Sequence, residues 1–246
     1  MITNRDELDK AVADARLDAT TSAFATIAGI ALRADPVLAT AVGASAPVFK
    51  HTYRLLSLAW GRRADRAASC MEQAAEICDV GLDILEERVA SHDDRVELLA
   101  RVLEAAARTP LKKKVTALAR VLADGLRDGG SVNEALVIAA ALADVEAAHV
   151  RLLHYIAVNP FPPEELRRQS KETQRGWDRT QIVAVLPELE PVLDGLLAVL
   201  DAQGLVRLQV DSTYAGVAAI AQFAVTPLGR RCLFLLGEDV QEPEAN

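Results

Sequence analysis

Aromatic side chains make up only 4% of the 246 residues, and there are three cysteines, Cys70, Cys78 and Cys232. The scarcity of rings argues against a β-sandwich core and for closely packed, alanine-rich helices. An odd number of cysteines without paired spacing excludes a disulfide framework and a CxxC metal or redox site. Positive charge is short as well: 27 Lys and Arg stand against 35 Asp and Glu, a formal charge of -8. That balance opposes non-specific attraction to nucleic acid or anionic lipid. The start of the chain, MITNRDELDKAVADARLD, has no basic stretch followed by an apolar run. The expected location is therefore cytoplasmic.

Catalytic signatures are missing too. The chain contains no GxSxG, GxxxxGK[ST], GxGxxG or HExxH, so no residue nominates itself as a nucleophile, a phosphate cradle or a zinc ligand. The expectation is a protein without enzymatic activity and without a cofactor.

What is present is helix. Half of the residues are hydrophobic and a quarter charged, which places the chain among folded proteins. Asn4 with Glu7, Ser131 with Glu134 and Asp178 with Gln181 have capping-box spacing, in which an N-cap acceptor meets a side chain three residues on. Thr109-Pro110 and Thr226-Pro227 add starts with proline at the first helical position. The pattern predicts helices near 4–19, 48–90, 93–108, 110–127, 132–158, 163–176, 179–186, 191–203 and 227–236. Gly61 and Gly81 are candidate breaks in the second of these. Residues 19–49, rich in Ala, Thr, Gly and Ser around Arg33-Ala34-Asp35-Pro36, read as a helical hairpin. Each apolar run is shorter than the roughly 20 residues that span a bilayer, so a buried hairpin is expected in preference to membrane insertion.

Three prolines within Asn159-Pro160-Phe161-Pro162-Pro163 mark a boundary, because the residue before a proline is pushed away from helical geometry. The expected organisation is an all-helical domain over 1–158, a linker at 159–163 and a small α+β domain over 164–246 with a short acidic tail. In the last part, Leu193, Leu196, Leu197 and Leu200 form one helical stripe that Gly204 can end in a left-handed conformation. Val206, Leu208 and Val210 then alternate with Arg207 and Gln209, the period of a half-buried strand. A second alternating run, Ala221, Phe223 and Val225, completes a β-hairpin before the last helix. The fold class expected is mainly α.

The stretch LAVLDAQGLV, the hairpin, and FAVTPLGRRCLFLL together resemble a winged helix-turn-helix domain over about residues 178–237. The helical stretches TPLKKKVTALARVLADGL and ALADVEAAHVRLLHYI are faintly similar to the bacterial abortive-infection alpha family. The first resemblance implies a DNA-contacting helix, and the second a bacterial, defence-related setting.

The charges argue against the first implication. A winged helix places its second helix in the major groove with basic side chains at the phosphates. Here that helix carries Asp194 and Asp201, preceded by Glu188 and Glu190. Protein contact or self-association is the expected use, with nucleic acid and membrane disfavoured as partners and any small-molecule ligand left open. The alternative is an atypical nucleic-acid face made of Arg167, Arg168, Lys171, Arg175, Arg207, Arg230 and Arg231. Interleaved acids such as Glu164, Glu165 and Glu172 favour i,i+4 pairing on a solvated face for the first group.

Three further clusters stand out. Lys112, Lys113 and Lys114 crowd the first turn of a helix, where positive charge opposes the macrodipole. This fits an anion or partner site, or a solvated turn offset by a neighbour such as Glu104. Lys50, Arg54, Arg62, Arg63 and Arg66 interleave with Phe49, Tyr53 and Trp60, as in single-strand stacking or in amphipathic packing with snorkelling cations. Glu146 and His149 have the ExxH spacing of di-iron bundles, but no second ExxH exists in the chain, so a metal site is not expected. Cys70 and Cys78 lie near Glu72 and Glu76, which should raise their pKa values instead of activating the thiols.

Overall fold

The computed structural model describes residues 46–127, 130–167, 176–210 and 221–238, with side chains at 46–57, 166–167 and 209–210 left out. The expected helix at 4–19, the hairpin at 19–49 up to residue 45, and the basic residues Arg168, Lys171 and Arg175 lie outside the described residues; residues 46–49 begin the first described helix. Two compact units divide the chain, Met1–Ala64 and Asp65–Asn246.

The fold is mainly α. In order it runs α1 (Ala46–Ile77), α2 (Leu82–Ala90), α3 (Asp93–Arg108), α4 (Lys112–Leu126), α5 (Val132–Ala143), α6 (Ala147–Val158) and the short α7 (Glu164–Arg167). There follow α8 (Arg179–Val185), a 3-10 turn (Pro187–Val192), α9 (Leu193–Ala202), β1 (Val206–Val210), β2 (Ala221–Val225) and α10 (Pro227–Leu235). In the first unit, the guanidinium of Arg63 lies 5.4 Å from the centroid of the exposed Trp60 ring. Both side chains are exposed, and the contact is a cation–π pair at the surface.

In the second unit α4 is the axis of the core. Leu118, Leu122 and Leu126, with Ala119 and Ala123, are fully buried along it. Small residues let neighbouring helices approach: a Cβ on Gly125 would sit 2.5 Å from Leu98 Cδ2 and 2.9 Å from Ala135 Cβ. The core continues past the prolines at 160–163 through Trp177, Ile182, Leu193, Leu200 and Leu233. Trp177 is fully buried, packs edge-on to Tyr155 at 5.4 Å, and its Nε1–H donates to the Asn159 carbonyl at 2.6 Å. Its own backbone bridges Phe223 and so extends the hairpin.

Local signals set several element ends. Ser131 Oγ accepts from Glu134 N at 3.2 Å, Asp178 and Gln181 form a reciprocal capping box, and Thr226 Oγ1 accepts from Gly229 N at 3.0 Å. Gly204 ends α9 with φ +66°. The hairpin is antiparallel, with Val206 opposite Val225 and Val210 opposite Ala221.

Several expectations need correction. Gly61 lies inside α1 without interrupting it; the break falls at residues 78–81, where Asp79 takes φ +54°. Asp is among the few residues that tolerate this left-handed conformation. The N-cap of α4 is Leu111, while Thr109 Oγ1 accepts from Leu111 N at 3.2 Å. The single helix expected over 132–158 is two, separated by Asp144, Val145 and Glu146. In the hairpin Leu208 is 41% exposed whereas Gln222 is 6% exposed, so burial there does not follow the alternation of apolar residues.

Candidate functional site

Two features that are separate in the sequence, the lysine run and the Glu146–His149 pair, meet at the junction of α4, α5 and α6. Lys114 is 1% exposed, and its Nζ donates to the carbonyls of Ala143 and Val145, each at 2.8 Å, and to Glu146 Oε1 at 3.4 Å. An ammonium has three protons and no acceptor, so these three partners use all of it. Ala143 is the last residue of α5, where helical C=O groups lack intrahelical partners and the macrodipole favours a cation, and Val145 lies in the connection just past it. The break in the predicted 132–158 helix therefore has a tertiary cause. Lys114 is not on a solvated turn.

The ExxH spacing serves the opposite end of the next helix. Glu146 is the N-cap of α6: its side chain accepts from the His149 N–H, and its own N–H donates to His149 Nδ1 at 3.1 Å. This is a capping box with histidine in the place of Glu or Gln. Burial lowers the His149 pKa, Lys114 reinforces the shift and Glu146 opposes it; Nδ1 as an acceptor requires the neutral ring. Among the described residues no group of three or more His, Cys, Asp or Glu is placed to hold a metal ion.

Other basic residues repeat the use made of Lys114. Arg66 gives Nε, at 3.2 Å, and Nη2 to the carbonyl of Ala107, near the end of α3. Arg95 donates to Arg88 O at 3.1 Å, Arg120 to Leu235 O at 3.4 Å and Arg127 to Ile77 O at 3.4 Å. Each of these carbonyls belongs to the last turn of a helix, the position where cations are favoured.

Directly before Lys114, the first two lysines of the run face a cleft of about 370 Å³. Leu111, Ala147, Val150 and Leu236 give it an apolar floor, and Lys112, Lys113, Arg151, His154 and Glu238 surround it. Lys113 pairs with Glu238 at 3.1 Å and Arg151 with Glu188 at 2.5 Å. Glu104, the expected neighbour of the lysine run, pairs instead with Arg108 at 3.6 Å. His154 Nε2 is buried without a hydrogen-bond partner.

Four of the alternative nucleic-acid residues lie among the described ones. Arg167 ends α7, Arg207 is exposed on β1, and Arg230 and Arg231 are half-buried neighbours on α10, with Arg231 5.7 Å from the Phe234 centroid. Burial, not nearby acids, is the main cause that pushes Cys70 up to about 12 and raises Cys78. Cys232 is likewise pushed up to about 12 by burial. Among the described residues no helix is long and apolar enough to cross a membrane.

Sequence reasoning missed Lys114 as an interior group and passed over His154 and Trp177. The signal for Lys114 was its place in the most buried helix, at the foot of the Leu118–Leu122–Leu126 stripe. No protein-family model, curated protein or solved structure matches this chain.

Proposed function

We propose that this chain is an interaction module, without chemistry of its own, whose helical part carries a winged-helix-like end that meets protein instead of DNA. The order helix, turn, helix, hairpin, helix over 179–235 supports the winged-helix reading. The observation that carries the protein-contact reading is the outer face of α9. Its exposed positions are Asp194, Gly195, Ala198, Asp201 and Ala202, a face with two carboxylates and no cation. Arg179, which reaches this face from α8, is paired with Asp194 at 2.8 Å. A groove-reading helix needs positive charge toward the phosphates, whereas small side chains between carboxylates suit close approach by a basic protein surface.

Light scattering over a concentration range, combined with a pull-down from the native host and gel shifts at low salt, tests this. The expected result is self-association or a retained partner that Asp194→Lys with Asp201→Lys abolishes, and no shift of duplex DNA. A strict monomer with no retained partner contradicts it. So does DNA binding that falls steeply with salt and weakens in Arg230→Glu with Arg231→Glu; that outcome would assign the alternative basic face.

A further inference from the structure

We propose that the cleft between the start of α4, α6 and the end of α10 binds a small amphipathic carboxylate, with its apolar body on the floor and its acid group at the cationic rim. The volume of about 370 Å³ falls in the roughly 300–1,000 Å³ range of small-molecule sites. The floor of Leu111, Ala147, Val150 and Leu236 has no aromatic ring on which a nucleobase could stack. An aliphatic body matches it.

The rim supplies the charge. Lys112 makes no ion pair among the described residues, whereas Lys113 and Arg151 are each engaged by one carboxylate, Glu238 and Glu188. Three cations against those two acids leave a net positive rim, and Lys112 is the cation an incoming anion meets first. The first N–H groups of α4, at Lys112 and Lys113, have no intrahelical acceptor and add the positive end of a 15-residue helix. His154 also lines the cleft, and its Nε2 lies buried beside it with no partner. A buried polar atom in that state carries a desolvation cost. A turn of the ring that opens Nε2 to the cleft would let the tautomer protonated there donate to a carboxylate oxygen and so relieve that cost.

Isothermal titration of the full chain with decanoate, decanol and decyltrimethylammonium, each as a monomeric solute, is the test. Decanoate is expected to bind saturably at one site, at least tenfold tighter than decanol, with no binding of the cation. Lys112→Glu should weaken decanoate at least tenfold with an unchanged unfolding midpoint. Ala147→Trp, a change at an exposed position that fills the cleft, should abolish binding. The His154 imidazole nitrogen resonances should shift on addition of decanoate. The proposal is overturned by equal affinity for decanol, by the absence of saturable decanoate binding, or by binding that both substitutions leave intact. It stands apart from the α9 reading, since no partner enters the measurement.

Discussion

The interior junction at Lys114 and the cleft beside it draw on one run of three lysines, and they end in opposite electrostatic states. At the junction a single ammonium, with almost no exposed surface, meets two carbonyls and a carboxylate, and every polar group is matched. In the cleft, one and two residues back along the run, positive side chains outnumber their acidic partners and an imidazole nitrogen has none. The difference arises from the roughly 100° that each residue turns a helix. Lys114 and Val115 rotate into the core, while Lys112 and Lys113 rotate out. A cluster of like charges in sequence is thus two sites of different kind, one that holds helices together and one with bonding capacity left over.

The contrast can be broken at Lys114. Lys114→Met keeps the length and apolar stem of the side chain but leaves the Ala143 and Val145 carbonyls without their donor. Each buried acceptor left unmade costs about 1–3 kcal/mol, so a loss of about 3 kcal/mol in unfolding free energy is expected by urea denaturation. A loss below about 0.5 kcal/mol would mean that water serves those carbonyls equally well.

A smaller effect is expected at His149. Removing the acceptor of the capping box, as in His149→Ala, should cost about 1 kcal/mol. His149→Gln keeps an acceptor at the same place and should hold the parent stability at neutral pH. The two differ in acid. With the His149 pKa lowered by burial, the folded state binds this proton less readily than the unfolded chain. The contribution is fully present above the ordinary value of 6.5 and is lost as pH falls through the lower folded value. Thermal melts across that window should show the parent losing stability faster than His149→Gln; parallel curves would remove His149 from the account.

The smallest change is expected at Lys112. With an exposed side chain and no ion pair among the described residues, Lys112→Met should alter stability by no more than about 0.5 kcal/mol. A loss comparable with that of Lys114→Met would show that the two lysines do not differ as described.

These sites also separate what the sequence makes legible from what it hides. Contacts within one turn were readable: Ser131 with Glu134, Asp178 with Gln181, Thr226 before Pro227 and Gly204 after the leucine stripe all stand where the spacing puts them. The strand positions and the mainly helical class followed from the same short-range periodicity. What stayed hidden depends on partners far along the chain. Lys114 finds its acceptors 29 to 32 residues away, and Trp177 finds Asn159 at a separation of 18. The leucine stripe marks Lys114 as interior, but no local pattern announces the partners of either residue. The run from Val132 to Val158 is largely apolar and alanine-rich and has no Gly or Pro, and Asp144 and Glu146 at the break suit the exposed face of an unbroken helix as well as a helix end. The ExxH pair was visible, but its role as a cap depends on Glu146 standing just outside a helix, and that follows only from the break. In the hairpin, exposed Leu208 and buried Gln222 follow from what packs on each face, which alternation alone does not specify.

The most direct measurement is a nuclear magnetic resonance titration of the lysine side chains, following each Cε and Nζ through alkaline pH. Burial lowers the Lys114 pKa from the ordinary 10.5, with Glu146 opposing the shift. One lysine, absent from the Lys114→Met spectrum, is expected to titrate below 10.5 with ammonium protons that exchange slowly enough to be seen. A Lys114 that titrates at the ordinary value with rapidly exchanging protons would contradict this.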